Sequence, residues 1–393
     1  MAGQVFSETI SIHDAINGEL HISHVHVDDS FEGCEFGNEP LTISGKASKA
    51  GDYNVSLSCF LYSSTGEQRP VIGLLKVTVI ADPQSLWKNL PADETARFHK
   101  PDSNSLRLSN DSIQLLGASV RGRAHAHHGI HRDDDFTLLM ADNADQWNVL
   151  CVADGAGSCQ YSRRGAQIAS HKASSVLRET LNSHYGEKLP VYYKALAQED
   201  TPENQQRLQQ VYQQTMVKAV YSAAMKIQEE VDQNPGDSFK DYSTTLLLVA
   251  HKPLADGHLV FGFWVGDGGA VIYQHNEQVI LLGKPDGGQF AGQTRFLDKK
   301  MFEDGSVYNR VFLTKVSSMT ALILATDGIT DPWFDSERQM SEVEKWDTLW
   351  SSISPFIQEP DTDAACEGIT EWLSFWSPGH HDDRSIAICS VNS

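Results

Sequence analysis

The sequence predicts an α+β fold, with strands layered together under an outer cover of helices, behind a small all-β module. Three observations predict it. Residues 1 to 84 break into short alternating strands with no helical period. From residue 113 onward, five apolar runs of strand character appear. Two helical stretches follow the first of these runs in succession, unlike the regular strand–helix rhythm of a doubly wound sheet.

In chain order, LTISGKA leads into the turn residues of KAGDY, then NVSLSCFLYSS, TGEQ and VIGLLKVTVIA. Tyr53, Val55, Leu57 and Cys59 alternate, as a half-buried strand requires. Residues 1–84 read as a small β-sandwich module. Residues 85–112 are polar, with Pro83, Pro91 and Pro101 in or beside them, and read as a linker with one short helix near Ser85 to Asn89. The larger domain, 113–393, holds the runs WNVLCVADG, YSTTLLLVA, HLVFGFWVGDG, TALILATDG and RSIAICSV. Helical stretches span Arg163 to Leu181, Glu203 to Asp232 and Asp363 to Phe375. The second carries Leu208, Val211, Tyr212, Met216, Val220 and Met225 at helical spacing.

A chain of 393 residues is long for one core and suits two domains. Its 31 basic and 52 acidic residues give a net charge of −21, which repels nucleic-acid backbones and anionic lipid and favours divalent cations. The start, MAGQVFSETISIHD, lacks the basic and apolar regions of a secretory signal, and no run reaches the length of a membrane span. The six cysteines are scattered without a CxxC pair, as expected of reduced thiols in a cytoplasmic protein.

The chemistry-bearing pattern lies at the strand ends. Three apolar runs go straight into Asp-Gly, at Asp154-Gly155, Asp267-Gly268 and Asp327-Gly328, and Asp382-Asp383 precedes the last run. Asp133-Asp134-Asp135 precedes FTLLM. A strand buried on both faces carries charge only where it emerges, so carboxylates from several strands converge if the strands emerge together. Unpaired like charges that close repel, and divalent cations resolve the conflict. An all-oxygen ligand set suits Mg²⁺ or Mn²⁺ over Zn²⁺. A lone Asp-Gly is usually only a turn; the weight comes from the ordered set.

That set resembles the protein phosphatase 2C family, the PPM-type metal-dependent serine/threonine phosphatases, in its bacterial form. The matching residues are Asp133-Asp134, Asp154-Gly155-Ala156-Gly157, Ser243-Thr244-Thr245, Gly266-Asp267, Asp327-Gly328 and Asp382-Asp383. The resemblance implies a β-sandwich flanked by helices with a dinuclear metal centre at one end. It implies Asp154 as the bridge between two Mn²⁺ or Mg²⁺ ions, with the Gly155 carbonyl on one of them. Asp327 and Asp382 hold one ion, and Asp134, with Asp133 beside it, holds the other. Asp267 joins Asp327 on a weaker third ion. The register of the triplet, and of Asp382 against Asp383, stays open by one residue. The implied activity is hydrolysis of a phosphate monoester on a protein by a metal-activated water, opposite a serine/threonine kinase.

The pattern departs from the family in two places. Ala156 stands where many members have His, a general acid. The phosphate-holding Arg is replaced by a segment in which His125, and after it Arg132, are the candidates; His125 is then a catalytic candidate as well. This His-rich segment also reads as a solvated loop, or as a transition-metal site of His125, His127, His128 and His131. The rival function is a catalytically weak phosphoprotein-binding or regulatory module that keeps the phosphatase fold. The first 84 residues weakly resemble bacterial immunoglobulin-like repeats through GKASKAGDYNVSLSC, which suggests either a targeting role or a cap.

Overall fold

The computed structural model describes residues 5–9, 18–27, 34–38, 41–63, 65–143, 146–286 and 294–392. Two compact units divide the chain, Met1–Lys88 and Asn89–Ser393.

The first unit is β-rich. Its strands are β1 (Val5–Thr9), β2 (Gly18–Val27), β3 (Cys34–Asn38), β4 (Leu41–Lys46), β5 (Gly51–Ser63) and β6 (Gln68–Val79). They form two three-stranded sheets, β1-β4-β3 and β2-β5-β6. Tyr53, Val55 and Leu57 are buried, as their alternation requires; the side chain of Cys59 lies outside the described ones. The short helix expected near Ser85 is a single 3-10 turn, Pro83–Leu86, capped by the Asp82 side chain.

The second unit runs β7 (Ser103–Ser109), β8 (Ile113–Val120), α1 (Arg123–His128), β9 (Asp135–Leu139), β10 (Asn148–Ala153), α2 (Ser162–Leu181), α3 (His184–Gln198) and α4 (Pro202–Asp232). Then follow β11 (Leu246–Leu254), β12 (Gly257–Val265), β13 (Gly269–Gln274), β14 (Gln278–Leu281), α5 (Lys300–Glu303) and β15 (Val311–Val316). The last elements are β16 (Ala321–Ala325), α6 (Asp327–Trp333), α7 (Val343–Gln358), α8 (Thr362–Leu373) and β17 (Arg384–Val391). The strands form a five-stranded sheet, β15-β12-β11-β10-β9, and a six-stranded sheet, β14-β13-β16-β17-β8-β7.

Alternation along each strand sorts its side chains into two cores. Leu150, Val152, Leu247 and Val249 of one sheet pack with Leu115, Leu322, Leu324 and Ala387 of the other. On the outer face of the five-stranded sheet, Cys151, Leu248 and Phe261 meet Ala169, Ala173 and Ala223 of α2 and α4. On the outer face of the six-stranded sheet, Leu116, Ile323 and Ile388 meet Trp346, Leu349 and Ile369 of α7 and α8. Strands buried on both faces must be apolar throughout, which is why they stand out in the sequence as continuous runs. The result is helix, sheet, sheet, helix.

Three elements differ from the sequence reading. Residues 103–109, read as linker, pair with β8 as an edge strand. Only Leu106 and Leu108 are apolar there, too few for a visible alternation. Helices α3 and α7 were not expected; each contains a proline, Pro190 and Pro355, which reads as a breaker in sequence. No helix among the described residues is long and apolar enough to cross a membrane.

Candidate metal centre

The aspartate-bearing strand ends all lie at one end of the sandwich. In the five-stranded sheet, Ala153 pairs with Asp135 and Leu246 with Val265. In the six-stranded sheet, Ala325 pairs with Gly269 and Ile386, and Arg384 with Val120. Thr245 ties two of these ends together, its amide donating to the Asp154 carbonyl (2.8 Å) and its Oγ1 accepting from the Asp154 amide (2.8 Å). The Thr326 hydroxyl crosses between the sheets, donating to Asp134 Oδ2 at 2.8 Å. Gly155 is squeezed: a Cβ there would lie 2.8 Å from the Ser162 carbonyl carbon and 2.9 Å from the Asp133 carbonyl oxygen. Gly328 is tighter still, since a Cβ would lie 1.8 Å from the Asp383 carbonyl oxygen. Asp-Gly at these ends is therefore a packing requirement as well as a turn.

Two groups of ligating atoms result. Asp154, Asp267 and Asp327 each offer a carboxylate oxygen, all within 4.8 Å of one another. Asp134 joins them, sharing a hydrogen bond between carboxyl groups with Asp154, which requires a proton there. Burial, then the charges of Asp383 and Asp382, lift Asp134 to about 7. Burial, then Asp327, Asp134 and Asp382, push Asp154 well above the carboxylate range. Asp327 rises likewise through burial and then Asp382 and Asp267. Asp382, exposed at the mouth, rises through desolvation and the neighbouring Asp383. Asp267 accepts from the Thr294 hydroxyl through Oδ2, while its buried Oδ1 has no partner among the described residues. One helical turn after Asp327, Asp331 is also raised, by burial and then by Asp267. A cluster of partly orphaned, oxygen-only, mutually repelling carboxylates fits hard divalent cations.

The second group comprises His125, Asp382 and Asp383, with ligating atoms again within 4.8 Å. Here the carboxylate is spent. Asp383 accepts from the Gly122 amide (2.6 Å), from the Asp133 amide and from His125 Nδ1 (3.0 Å to each oxygen). Burial alone would raise its pKa, but the bonds from His125, Gly122 and Asp133 outweigh it and hold Asp383 below the ordinary carboxylate range. Burial likewise opposes the charge on His125, yet Asp383, then Asp133 and Asp382, lift it to about 9. His125 is thus an imidazolium at neutral pH. Its Nε2 lies 3.9 Å from Asp133 Oδ2 and 3.9 Å from where a Cβ of Gly157 would stand, so it faces the loop after Asp154.

The triplet resolves by direction. Asp133 faces Ser162 and His125, and burial followed by the Asp383 charge lifts it to about 6. Asp134 faces Asp154, while Asp135 pairs with Lys100 at 2.8 Å. Successive side chains of an extended chain point to opposite sides, so one of three reaches the cluster. The Lys100 ammonium, 5% exposed, also donates to the Asp134 carbonyl. Nothing in the sequence marked it, because it sits in a polar stretch.

Arg132 needs correction as a phosphate-side candidate. It is 1% exposed, and its Nε donates to the Pro101 carbonyl at 3.4 Å. A guanidinium closed off from the mouth does not meet a phosphate there. Among the other histidines, His127 meets His128 edge to face and His131 meets His99 edge to face, and none joins His125 in a ligating group among the described residues. Arg163 donates to the Phe98 and Arg97 carbonyls, and Arg164 pairs with Glu230 at 2.8 Å.

A sequence profile described as protein phosphatase 2C matches residues 121–374. Comparison with curated proteins finds no match. Among solved structures, the Mycobacterium tuberculosis serine/threonine phosphatase PstP/Ppp is 14% identical, with 72% of this chain and 100% of that one covered at a TM-score of 0.41. Serine-threonine phosphatase 2C from Toxoplasma gondii is 17% identical, with 75% and 100% covered at 0.41. PppA of Pseudomonas aeruginosa is 11% identical, with 74% and 100% covered at 0.40. On the profile match, which spans more than half of its length, the chain belongs to the protein phosphatase 2C family.

Proposed function

We propose that the protein is a metal-dependent phosphoprotein phosphatase that hydrolyses phosphoserine or phosphothreonine monoesters and so opposes a serine/threonine kinase. The observation that carries the reading is the convergence of Asp134, Asp154, Asp267 and Asp327, most of them with raised pKa values, at one end of the sandwich. Asp154 stands between the rest and would touch two ions. Asp134 and the Gly155 carbonyl would complete one, and Asp327 with Asp382 the other. Asp267 and Asp327 would share a third, weaker one. Asp133 would act on the Asp134 ion through water.

Bound Mn²⁺ or Mg²⁺ supplies Lewis acidity, lowering the pKa of water and neutralising charge on phosphoryl oxygens. The protein's own part is to orient. Asp383 fixes the His125 ring through Nδ1, leaving Nε2–H free to donate towards a phosphate oxygen or the leaving group. This gives the site a proton donor that Ala156, in the loop itself, does not provide.

Turnover of an aryl phosphate tests the reading. Mn²⁺-dependent hydrolysis by the full chain, lost with chelator and with Asp154→Asn, is expected. Phosphopeptide binding without any Mn²⁺-dependent turnover would contradict it and leave a binding module.

A further inference from the structure

Beside the metal centre lies a cleft of about 640 Å³ whose charge runs against that of the rest of the protein. Its wall is hydrogen-bonded to the site. Thr294, on its wall, donates to Asp267. Ser243, also on its wall, accepts from the Ala156 amide at 3.0 Å. The neighbouring Leu297 amide donates to the Thr244 carbonyl at 2.8 Å, and the Thr244 hydroxyl donates to the Asp154 carbonyl at 3.0 Å.

Lys240, Arg295, Lys300 and Arg310 line the cleft, against Asp298 and Asp304 among its described lining residues. Several of these charges are already engaged. Arg310 pairs with Asp286 at 2.6 Å. Asp298 accepts from the Met301 amide and Asp304 from the Ser306 amide. Lys240, Arg295 and Lys300 are exposed, and none forms an ion pair among the described residues. In a chain of net charge −21, four basic side chains against two acidic ones line this cleft, with Lys300 and Arg295 acting on Asp304, and leave a local excess of positive charge beside the site.

We infer that this cleft binds anionic side chains flanking the phosphorylated residue, so that the preferred substrates are phosphopeptides with acidic surroundings. The inference rests on the phosphatase reading and names its substrate class. A peptide with its phosphate at the metal centre extends by roughly 3.3 Å per residue, so neighbours a few positions away enter the cleft. Glutamate or aspartate there meets Lys240, Arg295 and Lys300. A second phosphate offers the same chemistry with more charge.

The test uses the full chain with Mn²⁺ and four phosphothreonine peptides whose flanks are glutamate, a second phosphothreonine, alanine or lysine. An aryl phosphate serves as the internal reference for each enzyme. At low salt the glutamate peptide should exceed the lysine peptide in kcat/KM by roughly tenfold, with the ratio shrinking as salt screens it. Preference for the diphosphorylated peptide over the glutamate one assigns the anion as phosphate; equal rates assign carboxylate. Arg295→Glu combined with Lys300→Glu should reverse the glutamate-to-lysine ratio. Aryl phosphate turnover with equal kcat/KM for all four peptides, unchanged by the double variant, overturns this inference and leaves the phosphatase reading intact. Absence of aryl phosphate turnover overturns both.

Discussion

Two carboxylates at this end of the sandwich, half-buried Asp154 and buried Asp383, shift in opposite directions. Asp383 receives two backbone amides and a protonated imidazole, and its pKa falls. Asp154 has Asp134, Asp327 and Asp382 around it, and its pKa rises far above normal. Burial pushes both upward, so burial does not decide the outcome; the sign of the neighbours does. The contrast separates a brace from a ligand. A saturated carboxylate holds the scaffold, and an unsaturated one is, on the reading proposed above, a cation ligand.

The largest expected effect is on catalysis. Asp154→Asn should lower Mn²⁺-dependent turnover on the order of 10³-fold, as loss of a central electrostatic element does. The same substitution removes a carboxyl whose ionisation the fold opposes, so the thermal midpoint of the chelator-treated protein should rise, by roughly 1 kcal/mol in stability. Asp383→Asn should act in the opposite sense. It strips His125 of its counter-charge and should destabilise the chelator-treated protein by about 3 kcal/mol, read by thermal unfolding. Equal signs for the two variants would erase the distinction between brace and ligand.

His125→Gln should lower turnover of a phosphothreonine peptide by about 10²-fold. The loss should be smaller on an aryl phosphate, whose leaving group needs no proton. Steady-state kinetics on the two substrates would read the difference, and equal losses would make His125 a phosphate holder alone.

A smaller effect should appear in stability against pH. Asp133 and Asp134 rise from 3.8 to about 6 and about 7. Raised carboxyl pKa values contribute stability below about pH 4 that is lost as pH climbs to about 7. The thermal midpoint of the chelator-treated protein should therefore fall over that window, and Mn²⁺ should flatten the fall. The His125 contribution is present below pH 6.5 and is lost as pH rises through about 9. Asp383 contributes above pH 3.8, and its share is lost only as pH drops through its lowered value.

The strand-end carboxylates of this comparison were legible in the sequence, and the bracing contacts of Asp383 were not. Asp154, Asp267 and Asp327 announce themselves because apolar strands buried on both faces end abruptly in Asp-Gly. Asp382 and Asp383 are adjacent before one strand, and sequence alone does not say which faces the mouth and which turns under to meet Gly122. The same limit applied to Asp133, Asp134 and Asp135. Lys100 was invisible, since a lysine in a polar stretch reads as solvated until the fold buries it against Asp135. Arg132 failed in the converse way: its sequence neighbours place it beside the site, but the turn before β9 aims it inward.

The most direct test of the central claim is calorimetric titration of chelator-stripped protein with Mn²⁺ near pH 6.5, in buffers of different ionisation heat. Asp134, lifted to about 7, retains most of its proton at that pH and must lose it when a cation binds. At least two bound ions with net proton release are expected, both reduced by Asp154→Asn and retained in His125→Gln. Binding without proton release, or binding unchanged by Asp154→Asn, would contradict it.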